Sequence, residues 1–501
     1  MVYYVDSRNG SDCRSGQSPD TAWKTLKKVN STIFQPGDRI LFCTDCIFKG
    51  QLHPLGDGTP EQPIIIGSYG AGDKPCIDGC GSHGTREGDY TDGAAVLLYN
   101  QNYWEVQDLE ITNFNPWYKQ EFEYTAGAGS QKIYAGLASA DPNGEPLMLR
   151  MTQGDKELVS LPAAAELGGE MMSNRSIPSP ENRYRYGILV RWDNYGTGHH
   201  IHIRNCHIHD VNGEMNHFVA EGILVVSTGT ADGVPTNFDD VLIENNIIED
   251  IDRTGISVWS AWAEGRGTEY HWDPHRCGNF YHATIGPWKG STNVVVRGNK
   301  VYRTAGDAIL INTTIGALIE KNYVEHCCYE MRIGYNAAVW PHNADGTIVQ
   351  YNEVCYTHGV QDGQAFDIDL SCNDTVIRYN YSHHNEGGFL LLMNRTTNNE
   401  IHHNVSEHDR NGLIWYHENN GGTRIHDNLF YLSMEKVQVF RGPYDSDDWV
   451  FENNTFCARL PDTHIDWKIR AKYYGNNYYN IANLPEDPAP RSEKPEFTHW
   501  R

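Results

Sequence analysis

The sequence predicts an all-β solenoid, and three observations predict it. Helix formers are sparse, whereas 48 Gly, 29 Tyr and abundant Asn, Thr, Val and Ile among 501 residues favour short strands and turns. An aliphatic or aromatic residue followed three places later by Asn recurs down the chain, ending on Asn246, Asn299, Asn322, Asn352, Asn380, Asn404, Asn428 and Asn454 in steps of 53, 23, 30, 28, 24, 24 and 26 residues. A further turn falls near Asn476 or Asn477. Each unit also carries a second strand-like segment after its Asn, at 222–226, 255–259, 308–312, 338–342, 365–370, 388–393, 412–416 and 437–441. A fixed period in this range is the signature of stacked repeats.

In chain order, residues 3–6 form a strand, 10–16 are rich in turn formers, and Trp23, Leu26 and Val29 recur at helical spacing. A short amphipathic helix here plugs the open end of the stack, whose edge would otherwise pair with another chain. Pro36, Gly37 and Asp38 then introduce a strand over 39–42. The repeats lack the consensus leucines, helix pairs or Trp-Asp signatures of leucine-rich, ankyrin or propeller folds. They fit a right-handed parallel β-helix, each coil two or three short strands, with the Asn residues stacked as a hydrogen-bonded ladder of scaffold. The expected organisation is one domain over 1–501, with the cap and first coils in 1–100 and the main coils in 199–480. Segments 115–184 and 261–288 are too long for turns and are expected to leave the coil as walls. Trp272 in the second of these, and Trp259 just before it, are candidates for stacking on sugar rings.

Composition excludes other classes. The chain is 39% hydrophobic, enough for a large core, which excludes disorder. Forty Lys and Arg against 65 Asp and Glu give a net charge of −25, which repels nucleic acid, anionic membranes and polyanions. The twelve cysteines are dispersed, and the Cys43/Cys46 pair is read as small buried residues rather than a zinc site. No run of about 18 apolar residues exists. Met1 leads straight into a strand without a signal peptide in view, so the expectation is a cytoplasmic protein, or a secreted one whose signal has been removed.

The candidate site lies in the later coils. Phe366, Ile368 and Leu370 alternate with Asp367 and Asp369, so a strand buries the apolar three and turns both carboxylates outward, roughly 6.5–7 Å apart. That separation suits a shared sugar ring, water or metal ion. Aligning the coils on this pattern puts Trp340 and His342, Asp367 and Asp369, Leu390, Leu392 and Asn394, Tyr416 and Glu418, and Arg441 on one outward face. A stripe of carboxylates with aromatic flanks is the signature of a carbohydrate site. Glu386 and Asp409 enter the same face from turns, Asp409 placed to reach over the cleft.

Three runs carry a resemblance: WPHN at 340–343, QAFDID at 364–369, and YNYSH at 379–383 with EGGFLL at 386–391. With YYVD at 3–6, AWKTL at 22–26 and PGD at 36–38, the chain resembles the β-helical enzymes of glycoside hydrolase family 141 over most of its length. The resemblance implies action on fucosides of pectin or on xylan by two aspartates, here Asp367 or Asp369 with Asp409. A related β-helical β-xylosidase family would place its acids at positions corresponding to Tyr416 and Gln438, which are not acids.

Three function classes follow. The first is a glycoside hydrolase working by carboxylate acid/base catalysis on plant cell-wall glycans or their oligosaccharides, without a cofactor. The second is a polysaccharide lyase or epimerase with Ca²⁺ held by carboxylates such as Asp367 and Asp369, and with Arg395 or Arg441 as base. The third is a non-catalytic glycan-binding β-helix.

Overall fold

The computed structural model describes residues 1–495 apart from 85–89, 117–119, 127–128, 136–148, 154–155, 162–183, 195, 214–219, 229–233, 261–287, 329–335, 359–361, 411, 418–420, 434–435, 438, 442–447 and 468–469. Three parallel sheets of 15, 13 and 10 strands, counted among the described residues, run the length of the chain. Each coil visits them in turn. Val376–Arg378 lies in the first sheet, Tyr381–His383 in the second and Leu390–Leu392 in the third, and Glu400–His402 then returns beside Val376–Arg378 in the first. This is a right-handed parallel β-helix.

The core is three stacks of inward side chains. In the first sheet the register aligns Ile203, Ile243, Val296, Ile319, Val349 and Ile377, all fully buried. In the third it aligns Ile309, Val339, Phe366, Leu390, Ile414 and Phe440. Strands this short cannot hold a core alone, and each is stabilised by the coil above and below.

The Asn residues form the expected ladder between the first and second sheets. Asn380 donates from its backbone N and its Nδ2 to Asn404 Oδ1, both at 3.0 Å, and its Oδ1 accepts the matching pair from Asn352 at 2.9 and 3.0 Å. The ladder runs from Asn246 to Asn476 and ends on the carboxylate of Asp487. The tight bend at each rung puts the preceding residue in the left-handed region, for example Asn245 (φ 57), Gly298 (φ 64) and Tyr379 (φ 54).

The helix at the N-terminal end spans Leu26–Asn30, capped by the Thr25 hydroxyl, which accepts from Lys28 N at 3.3 Å, and it buries Leu26 and Val29. Of the segments expected to leave the coil, the first contains a four-stranded antiparallel sheet, Gln120–Ala126, Gly129–Ala135, Leu149–Gln153 and Lys156–Leu161. The second lies almost wholly outside the described residues, Trp272 with it. Among the described residues the cysteines are free, and no helix is long and apolar enough to cross a membrane.

Candidate active site

The third sheet positions the site, because its short strands fix which residues point away from the core. Phe366 and Ile368 join the core, so Asp367 between them faces outward. Phe366 pairs with Val339, and Asp367 itself pairs with Leu391, which pairs with Trp415, which pairs with Arg441. Trp340, Asp367, Leu391, Trp415 and Arg441 therefore form one outward row, about 4.8 Å per step. His342 and Asp369 follow two places along.

This face is covered as well as polar. Asp367 is 5% exposed and Asp369 9%. Upstream on the same sheet, Leu189, Leu224, Trp259, Leu310 and Trp340 pack into a second apolar cluster. Trp259 and Trp340 are thus buried as a wall. The Trp340 indole donates to Asp307 Oδ1 at 2.9 Å, and Asp307, fully buried, also binds Arg253 Nη1 at 2.5 Å through its other oxygen. His342 Nδ1 lies 2.8 Å from Asn312 Nδ2, and burial pulls its pKa down to about 4, so the ring is neutral at physiological pH.

Burial is also the largest cause of what happens to the acids. It pushes Asp369 up to about 7, against a backbone hydrogen bond from Leu370 N to Oδ1 at 2.7 Å, with the charges of Asp362 and Asp307 adding to the rise. Asp367 is raised well above the ordinary range by burial and then by Asp369, Asp362 and Asp307, and its Oδ1 has no hydrogen-bond partner among the described residues. Two carboxyls in one low-dielectric site cannot both ionise freely near neutral pH.

Asp362 and Asp307 were not singled out from the sequence. Asp362 is half-buried, and its negative charge acts on Asp367, on Asp369 and on Arg441. It opens the same run as the two strand aspartates, in the entry turn of their coil, and an acid in that turn is the signal that could have found it. Glu386 belongs to the next coil's entry turn, half-buried, with Oε2 3.9 Å from His358 Nδ1. That turn packs directly on Asp362, since a Cβ on Gly387 would sit 2.4 Å from the Asp362 carbonyl oxygen. Gly388 (φ +107) is likewise required by backbone packing, since a Cβ there would sit 2.0 Å from the Gly412 carbonyl oxygen.

Several expected site residues lie elsewhere. Leu390, Leu392 and Tyr416 point into the core, and Tyr416 is 1% exposed with its ring against Trp449, so Leu391 and Trp415 take the outward places. Asp409 does not cross the cleft. Its Oδ2 accepts from the Ser382 and Ser406 hydroxyls at 2.6 Å each, and its Oδ1 from Asn385 N at 3.0 Å and Nδ2 at 2.9 Å, so it ties two strands of the second sheet to the turn between coils. Asn394 is half-buried in the turn after its strand, its carbonyl oxygen accepting from Ser371 N at 3.4 Å. Glu418 lies outside the described residues. Arg441 does face outward, 4.1 Å over the Trp415 ring.

Residues 288–430 match the family model "Right handed beta helix region". The chain is 28% identical to a lacto-N-biosidase of Bifidobacterium longum subsp. longum over 97% of its own length, and it spans 31%, about a third, of that relative. Two crystal structures of the GH136 lacto-N-biosidase from Eubacterium ramulus superpose on it. The selenomethionine form gives a TM-score of 0.66 at 26% identity over 91% of this chain and 67% of that one, and the native form 0.65 at 27% over 90% and 67%. The likeness is therefore to β-helical glycoside hydrolases, and these relatives stand in a different family from the one the motifs around Asp367 resemble.

Proposed function

We propose that this chain is a glycoside hydrolase acting on an oligosaccharide, and that the glycosidic bond it cleaves is that of a lacto-N-bioside. The observation that carries the hydrolase reading is the 362–369 carboxylate group, in which two buried aspartates with raised pKa are electrostatically coupled to a third, half-buried one. Similarity to lacto-N-biosidases over nearly the whole chain favours lacto-N-biosides over the xylan or fucosylated glycans that the motifs alone imply.

Hydrolysis needs a carboxyl that still holds its proton near neutral pH and a second that has lost it. Asp369, held at about 7, serves as the acid and gives its proton to the glycosidic oxygen. In this reading the partner that attacks the anomeric carbon, or deprotonates the water that does, is Asp362, the more exposed of the group and close enough for its charge to raise Asp369. Asp367 is raised further and keeps its proton, so it donates a hydrogen bond to a sugar hydroxyl. Acid and partner are both protein carboxyls in this reading. Turnover that survives exhaustive chelation is therefore the expected outcome.

The test is a panel of aryl lacto-N-bioside, xylo-oligosaccharide, aryl fucoside and a uronate polymer. Disaccharide release from the first alone supports the proposal. Cleavage of xylan or fucoside instead removes the lacto-N-bioside assignment, and an unsaturated uronate product removes the hydrolase reading altogether.

A further inference from the structure

The coils that begin the stack lack the asparagine ladder. At the turn occupied by Asn246 and its successors, the two preceding coils carry Cys206 and Leu109, joined by His207 N to Leu109 O at 2.8 Å and by the Cys206 thiol, which donates to Val106 O at 3.9 Å, in place of an amide rung. These coils flank the 115–184 insertion, the longest departure from the stack. On the outer face of the first sheet, beside this gap in the ladder, four side chains converge.

Glu105 lies on Trp104–Gln107, before the insertion, and His202 on Gly196–Arg204, after it, as register partners. His200 adopts φ +54, a bulge that turns its ring onto the face of His202, with ring centroids 3.9 Å apart. Asp240, the bulged residue of the next coil (φ +66), accepts from both rings, at 2.6 Å from His200 Nδ1 and 2.9 Å from His202 Nε2. That leaves Nε2 of His200, 3.4 Å from Glu105 Oε1, and Nδ1 of His202 for a ligand.

We propose that Glu105, His200 and His202 form a divalent transition-metal site of the zinc class, which clips the coil before the insertion to the coil after it. Two imidazoles and one carboxylate are a common zinc donor set, and their atoms lie within 4.8 Å of one another. Tetrahedral ligands at zinc stand about 3.3 Å apart, close to the His200–Glu105 spacing. A carboxylate holding the far nitrogen of each ligating histidine, the place of Asp240, is the outer partner such sites use to orient their rings. Arg204 Nη2 binds the other Glu105 oxygen and aims the carboxylate at the rings.

Two other clusters are weaker. Asp6 beside Cys43 and Cys46 already accepts from Arg8 N, Asn9 N and Asn9 Nδ2, and in the group of His403, His426 and Asp427 two of the three are exposed.

The experiment uses the untagged full chain, stripped with chelator and titrated with Zn²⁺. One equivalent bound at micromolar or tighter affinity is expected, with melting raised by several degrees through preferential binding to the folded form. His202→Gln and Glu105→Gln lose that equivalent, Asp240→Asn binds it roughly 10–100-fold more weakly, and His426→Gln keeps it. Zinc-edge absorption of the wild-type complex reads nitrogen and oxygen ligands, independently of whether any variant folds. Sulfur in the shell, zinc bound equally by wild type and His202→Gln, or no zinc retained by wild type would each overturn the site.

Discussion

The guanidinium carbon of Arg441 lies 4.1 Å from the centroid of the Trp415 ring, and the two are register partners on the outward row that holds Asp367. A cation over an indole face holds the ring flat, and the His417 ring stacks beside it with centroids 5.7 Å apart. Trp415 stands two strand spacings from Asp367, roughly 9.6 Å, a span that a disaccharide bridges. Trp415→Ala is expected to raise KM about tenfold while kcat stays within about threefold, because the ring binds ground state and transition state alike. Arg441→Met should move KM the same way by freeing the indole. Steady-state kinetics on the cleaved substrate decide, and a fall in kcat at unchanged KM would remove this role.

The neighbour of Trp415 carries the opposite prediction. Tyr416 is 1% exposed and packs edge-on against Trp449 at 5.2 Å, so Tyr416→Ala should cost about 3–5 kcal/mol by leaving a cavity. Half-exposed Trp415 should cost far less on the same change, and urea unfolding of the two variants separates them. This adjacent pair also shows where the sequence stopped being informative. The alternation Phe366, Asp367, Ile368, Asp369 has one reading, since only one phase buries the apolar residues. Phe389 to Leu392 and Leu413 to Tyr416 are apolar throughout, so either phase buries something, and the phase shows only in the register, where Phe366 pairs with Leu390 and Leu390 with Ile414. The Asn period, by contrast, was legible along its length because each rung needs a side chain that both donates and accepts across the coil, which Asn supplies.

Asp409 and Asn380 are expected to behave alike. Asp409 has all four of its hydrogen bonds within the scaffold, so Asp409→Ala should lower stability by roughly 1–3 kcal/mol through the orphaned Ser382 and Ser406 hydroxyls and Asn385 amide. Asn380→Ala should fall in the same range, leaving Asn352 donors unpaired. Turnover per folded molecule should be unchanged in both, as measured by active-site titration against circular dichroism. In the sequence Asp409 looked like a catalytic acid because the rungs of its turn vary, with Thr357, Asn385 and Asp409 successive in space, and no constant residue type betrayed that ladder.

Asp369 links stability to catalysis. Its pKa rises from 3.8 in the free residue to about 7 in the fold, chiefly by burial, so the folded chain keeps a proton that the unfolded chain releases above pH about 4. The stabilising contribution is complete below pH about 4, is lost as pH climbs toward about 7, and is gone above that. At roughly 1.4 kcal/mol per pH unit, the loss across this window is about 4 kcal/mol. Asn is nearly isosteric and does not ionise, so Asp369→Asn should match wild type in melting temperature at pH 4 and exceed it by several degrees at pH 8. Its activity should move the other way. Wild-type kcat is expected to decline above pH 7 as the acid loses its proton, and the variant should be slower by roughly 10²–10⁴ at every pH, without that limb. Asp362→Asn should lose a similar factor yet show no comparable gain in stability at pH 8, because a half-buried carboxylate has less hydration to regain. A stabilised, fully active Asp369→Asn enzyme would show that the burial of this aspartate serves the scaffold and that the acid lies elsewhere.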